Sequence, residues 1–201
     1  MPTTVTTELD LSFTALELYE LEVTPPRIDF GEVVTEAANS ARAGKVADTG
    51  PARALYRRFG TDPTRMRPSS EALLRRVRRG DPLPRINSLV DVANVMSLRV
   101  QIPVGLYDLD RVKGEALVIR LGAPGEGYAG IGKEHVNVEG RLCVADAAGP
   151  CGNPSADSAR TQITTQTERA AWIYFMPVGE EALDATAELL TRYGRGLFRV
   201  L

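Results

Sequence analysis

"PLPRINSLVDVANVMSLRVQIPVGLYDLD", residues 82–110, is the stretch on which the reading of this chain turns. Leu89, Val92, Ala93, Met96 and Val100 recur at helical spacing and Leu98 widens the stripe, so residues 88–100 are predicted to form an amphipathic helix. A turn-rich Pro-x-Gly-x-Tyr-Asp then leads into a strand. Two arginines, two asparagines and three aspartates sit among these core-grade aliphatics. Asp91, Asn94 and Leu98 share one strip of the helix, and Val92, Met96 and Arg99 share another. Asn94 is thus flanked by core residues and must satisfy both donors and acceptors. Two roles are open to it: tying the helix to a neighbouring loop, or gripping the polar end of a ligand.

Working outward toward the N-terminus, "PSSEALLRRVRRG" (68–80) reads as a second helix. Ser69 is its expected N-cap, Glu71 favours the positive end, arginines crowd the last turn and Gly80 closes it in the left-handed conformation. "PARALYRRFG" (51–60) is punctuated as a shorter helix by its proline and its glycine. "EVVTEAANSARAGK" (32–45) is weakly helical, and "LSFTALELYELEV" (11–23) alternates as one long or two short strands. Toward the C-terminus the texture changes to short strands parted by glycine: "EALVIRLG", "GYAGIG", "RLCVAD" and, after a long loop, "AAWIYFMPV". "GKEHVNVEG" (132–140) reads as a hairpin. "EEALDATAELLTRYG" (180–194) is a closing amphipathic helix. Helices first and strands after imply an α+β fold in which a largely antiparallel sheet packs with helices. One domain over residues 1–201 is expected. It divides into N-terminal strands and a helix (1–50), a central body (51–178) and a C-terminal helix (179–201).

A chain of 201 residues with 43% hydrophobic content can bury a sizeable core. No apolar run approaches the roughly 18 residues of a membrane span, and the first ten residues lack the pattern of a signal peptide, so a cytoplasmic protein is expected, with no membrane partner. Cys143 and Cys151 are too few for a disulfide framework, and with His135 as the one histidine they cannot assemble an ordinary four-ligand zinc site. No metal and no cofactor are expected. The sequence carries no signal for oligomeric state. The formal charge of -2 conceals an asymmetry: residues 53–85 hold ten arginines against three carboxylates. Such a basic region on an acidic body suits a face that meets a polyanion; it equally suits a solvated face balancing acidic neighbours in the fold.

The combined order of "RIN-LVD--N--SLR" (85–99), "P-G-YDLD" (103–110) and "S-RT-IT--T" (158–167) carries a resemblance. From Leu55 to Met176 the chain resembles the editing (B3/B4-type) domain of the bacterial phenylalanyl-tRNA synthetase beta subunit, and more closely the freestanding proteins built from that domain. The resemblance implies that domain's fold and a trans-editing deacylase, which hydrolyses the ester of a mischarged amino acid on tRNA by positioning a water. It places Asn94, Gly105, Tyr107, Asp157 and Ser158 at the substrate, with Asn94 at the amino-acid pocket and Asp157 reading the substrate's polar side chain. It implies tRNA as partner, met by Arg57, Arg58, Arg75, Arg76, Arg78 and Arg79. No catalytic residue is assigned.

Two departures from the family pattern bear on this. Gly105 stands where the synthetase has a histidine near the terminal ribose, removing a possible base. Where the synthetase has small residues against the pocket, this chain has Trp172, Tyr174 and Phe175; if any of them points inward, the pocket is smaller or differently shaped. These departures keep two alternatives open: a tRNA- or aminoacyl-tRNA-binding module without turnover, and a repurposed enzyme acting on a small amino acid or aminoacyl ester.

Overall fold

The computed structural model describes residues 4–201. Its elements, in chain order, are β1 (Thr4–Thr7), β2 (Thr14–Tyr19), α1 (Gly31–Arg42), α2 (Gly50–Arg58), α3 (Ser69–Arg78), α4 (Ser88–Val100), β3 (Val104–Asp108), β4 (Ala116–Leu121), β5 (Gly127–Gly130), β6 (Lys133–Asn137), β7 (Leu142–Asp146), β8 (Gly149–Asn153), β9 (Ala156–Asp157), β10 (Ala170–Tyr174), α5 (Glu180–Leu189) and β11 (Leu197–Val200). The fold is α+β, and among the described strands β1 with β4 is the one parallel pair within a sheet. No helix among the described residues is long and apolar enough to cross a membrane.

Three layers build the body. A four-stranded sheet, ordered β11-β2-β10-β3, lies between the helices and a five-stranded sheet, ordered β1-β4-β7-β8-β9. Strand alternation explains how β10 serves both sides. Ala170, Trp172 and Tyr174 pack into the core shared with α1, α3, α4 and α5, whereas Ala171, Ile173 and Phe175 pack against Leu117, Ile119 and Val144 of the second sheet. All six are buried because β10 is a central strand covered on both faces. The hairpin β5–β6 covers part of the second sheet's outer face through Tyr128 and Val136, against Cys143.

The helix starts are set locally, with one difference from expectation. Asn87 caps α4, its side chain accepting from the Val90 N–H at 2.9 Å. In α3 the N-cap is Pro68, and Ser69 is already helical; its N–H is engaged instead by the Pro154 carbonyl at 3.0 Å. A tertiary acceptor has replaced the local cap. Gly80 adopts φ +92° just beyond α3, the left-handed closure that its position predicts.

β8 and β9 occupy what reads in sequence as loop. Their strand character comes from pairing: β8 zips onto β7, and Gly152 and Asn153 pair with Asp157 and Ala156. This leaves β9 as one edge of the five-stranded sheet and β3 as one edge of the four-stranded sheet.

Candidate functional site

A cleft of about 440 Å³ opens beside these two edges, continuous with a recess of about 130 Å³ through shared walls at Asn94, Val104, Ile131 and Asp157. Helix α3 supplies one wall through Ser69, Ala72, Leu73 and Arg76, which recur at helical spacing, and its C-cap residue Arg79 extends that wall. Val104 and Leu106 of β3 contribute an apolar side, and Ile86 and Ile131, 55% and 51% exposed, stand at its mouth.

The α3 wall is tied to the β8–β9 turn. Ser155 Oγ donates to the Arg67 carbonyl at 2.8 Å and so accepts from Tyr56 Oη at 2.6 Å. Asn153, buried at that turn, accepts from the N–H groups of Ser155 and Ala156 at 2.7 and 2.9 Å. Because both partners are backbone donors, the orientation of its amide is determined, with the NH2 end free of a described partner. Asn153 lines the cleft and was not among the residues expected there. The signal was present in "GNPS", an Asn-Pro-Ser run typical of side-chain-capped turns.

Asn94 lines both parts of the cleft and its side chain makes no hydrogen bond with a described residue. Asp157 faces it from β9. No ion pair with a described residue holds this carboxyl; burial pushes its pKa up to about 7, opposed only by the Leu106 N–H. Among the residues lining the cleft it is the sole carboxyl, and there is no histidine. The site therefore offers a donor–acceptor amide and a carboxyl poised between its two protonation states, beside two guanidinium groups.

The other expected site residues lie elsewhere. Gly105 and Tyr107 are on the opposite face of β3, packed between the sheets, and a side-chain carbon at Gly105 would stand 2.6 Å from Tyr107 Oη. Ser158 is buried; its hydroxyl donates to the Ala129 carbonyl at 3.3 Å and accepts from the Arg160 N–H at 3.1 Å. Trp172, Tyr174 and Phe175 are core residues with no surface on the cleft. His135 is exposed on the β5–β6 hairpin, away from the cleft. Cys143 and Cys151 are free and buried, their thiols pushed up by burial to about 11 and about 12.

The arginine-rich segment divides in two. Arg53 and Arg67 pair with Glu71, Arg58 with Asp10, Arg65 with Asp62, Arg79 with Asp81 and Arg85 with Asp91. Arg57, Arg75 and Arg78 are exposed and make no ion pair with a described residue. Arg76 lines the cleft with its Nε donating to the Pro82 carbonyl, and Arg79 lines it too. Part of the positive charge is neutralised within the fold, and the rest is free at the surface of α2 and α3.

Comparison with known proteins gives a match to the B3/4 domain over residues 51–195. The phenylalanine–tRNA ligase beta subunit of Protochlamydia amoebophila (strain UWE25) is 35% identical over 66 residues, which is 32% of this chain and 8% of that protein. Among solved structures, an N-terminal fragment of the phenylalanyl-tRNA synthetase beta-subunit from Pyrococcus horikoshii aligns with a TM-score of 0.53 at 14% identity, over 98% of this chain and 50% of that one. At that identity the likeness is one of fold. The chain spans 8% of the ligase subunit and half of the fragment.

Proposed function

The chain belongs to the B3/4 domain family, and from that premise we propose that it hydrolyses mischarged aminoacyl-tRNA in trans, with Asn94 and Asp157 holding the amino acid. The observation that carries this reading is that both side chains, without an ion pair to a described residue, line one cleft whose wall at α3 and its C-cap presents Arg76 and Arg79. A cleft of about 440 Å³ suits an amino acid with its ester-linked sugar. Val104 and Ile131 line that cleft, Ile86 and Leu106 line the recess beside it, and Trp172, Tyr174 and Phe175 line neither.

An aminoacyl ester is already activated, so its hydrolysis asks for an oriented water and stabilisation of the developing oxyanion, with no serine–histidine–acid triad. That economy agrees with a cleft holding one carboxyl and no histidine. Asp157 accepts from the ammonium or side-chain donor of the amino acid when ionised, and Asn94 meets a donor or an acceptor. In this reading Arg57, Arg75 and Arg78, exposed and without an ion pair to a described residue, meet acceptor-stem phosphates, and Arg58 joins them by exchanging Asp10 for phosphate; such contacts position without reading sequence. A separate hydrolase is useful because one methylene gives a synthetase only about 10–200-fold discrimination.

The same single carboxyl also favours a second reading, an aminoacyl-tRNA binder without turnover. A panel of cognate and mischarged aminoacyl-tRNAs incubated with the purified protein separates the two. Deacylation of a mischarged member, reduced about 10–100-fold by Asn94→Ala and by Asp157→Ala, is the expected result. Full activity in both variants would remove these residues from the site. Binding without turnover would favour the second reading, and binding of a free aminoacyl ester that ignores salt would point away from tRNA altogether.

A further inference from the structure

Tyr107 holds a hydroxyl that the fold has left without a partner. Its ring is buried between the two sheets, and its Oη makes no hydrogen bond with a described residue. The tip of the ring lies between two glycines, since a side-chain carbon at Gly105 would stand 2.6 Å from this oxygen and one at Gly152 2.5 Å. The same point above Gly152 is 3.0 Å from Asp157 Oδ1, because Gly152 and Asp157 are cross-strand partners in β8 and β9. Phenol and carboxyl are therefore neighbours over the bare face of one glycine, with no hydrogen bond between them in this arrangement. A buried donor left unpaired is costly, and a carboxyl beside it that has no ion-pair partner lowers that cost most when it ionises, because a charged acceptor makes the stronger hydrogen bond.

We infer that Tyr107 is a positioning residue for Asp157: when the carboxyl loses its proton, the Tyr107 hydroxyl donates to it and holds it at the floor of the cleft. Gly105 and Gly152 lack side chains because the phenol needs that space. The other titratable groups facing the pair are Tyr128 of β5, Cys143 of β7 and Cys151 of β8, with Arg76 and Arg79 of α3 on the cleft wall. Burial keeps the two thiols and both phenols protonated through neutral pH, so in that range Asp157 titrates alone among them. A donated hydrogen bond favours the charged form and so lowers the carboxyl's pKa from the level near 7 that burial sets; removing the hydroxyl raises it again.

This inference deepens the proposed function and rests on it for the role of Asp157 toward substrate, but its test needs no tRNA. The protein is labelled with carbon-13 at aspartate Cγ, the Asp157 signal being the one lost in Asp157→Asn, and is titrated as wild type and as Tyr107→Phe. The expected midpoint in the variant is higher by about one pH unit, the worth of one hydrogen bond. The melting temperature at pH 5 should be unchanged or raised, because the hydroxyl has no ionised partner there. If the variant does not fold, a fluorinated tyrosine at position 107, a stronger donor, should lower the midpoint. A midpoint that stays in place, or moves the other way, overturns the inference while leaving any deacylation intact. Absence of turnover on every aminoacyl-tRNA would overturn the proposed function while leaving the titration intact.

Discussion

Asp146 and Asp157 belong to the same five-stranded sheet, yet their surroundings drive them in opposite directions. Asp146, its side chain fully buried, receives two hydrogen bonds from Arg160 at 2.7 and 2.9 Å and backbone N–H bonds from Lys113 and Ala148. Burial raises its pKa, but Arg160 and the two N–H groups outweigh burial and hold it below the usual carboxylate range. Asp157 has no ion-pair partner among the described residues, and desolvation raises its pKa to about 7. The difference teaches that burial does not decide whether a carboxyl is charged; the donors around it do. At the Asp146 end those donors are supplied by the fold and the contact seals the sheet. At the Asp157 end the Leu106 N–H is the one donor that lowers the pKa and no guanidinium joins it, which leaves a partner's place open to an incoming group.

The hardest test of the contrast is Arg160→Ala, which strips Asp146 of its counter-ion while leaving it buried. A loss of about 1.5–3 kcal/mol in unfolding free energy at pH 7 is expected, because Arg160 is a third exposed and Asp146 keeps its two backbone N–H bonds, read by urea denaturation. A loss below about 1 kcal/mol would mean that the two ends are less different than their geometry implies.

The second test uses pH and the sign of each perturbation. Asp157 has a folded pKa above its unfolded value, so its contribution to stability is present below about pH 4 and is lost as pH rises through about 7. Relative to Asp157→Asn, the wild-type protein should therefore lose on the order of 2–4 kcal/mol between pH 4 and pH 8. Asp146, with a lowered pKa, stabilises at neutral pH, and its contribution is lost as pH falls below about 3.9. Denaturation curves of the wild type and the variant across pH 3–8 would expose parallel slopes if the contrast were false.

The smallest effect is expected at the free arginines. Arg75→Ala and Arg78→Ala remove exposed, unpaired charges, so stability should change by no more than about 0.5 kcal/mol. Under the proposed function, each should make the salt dependence of tRNA binding shallower by about one in log–log slope. Equal slopes in the wild type and both variants would assign these side chains to solvent alone.

Much of this architecture was legible in order along the chain. α3 and α4 follow from their apolar period and flanking punctuation, and β4, β7 and β10 from short apolar runs bounded by glycine. The strands that escaped notice, β1, β8, β9 and β11, are short, and β8 contains glycine and proline, so it lacks the composition of a strand and owes its form to pairing with β7. The site was legible only in part. Asn94 and Asp157 stood out as polar residues in informative contexts, and both line the cleft. Asn153 hid in a turn, and Gly105, Tyr107 and Ser158 lie away from the cleft because alternation along β3 and hydrogen bonding beside β9 turn them inward.

By itself the sequence determined the helices, the principal strands and the concentration of arginines before residue 86, because periodicity, capping and charge are properties of neighbours along the chain. Only the tertiary structure decided that β3 and β9 would bring their edges beside α3 and α4, which arginines would be neutralised, and which aspartate would be left without a guanidinium beside it. Those outcomes depend on residues as far apart as Asn94 and Asp157, and no local rule specifies how the edges of two sheets approach one another.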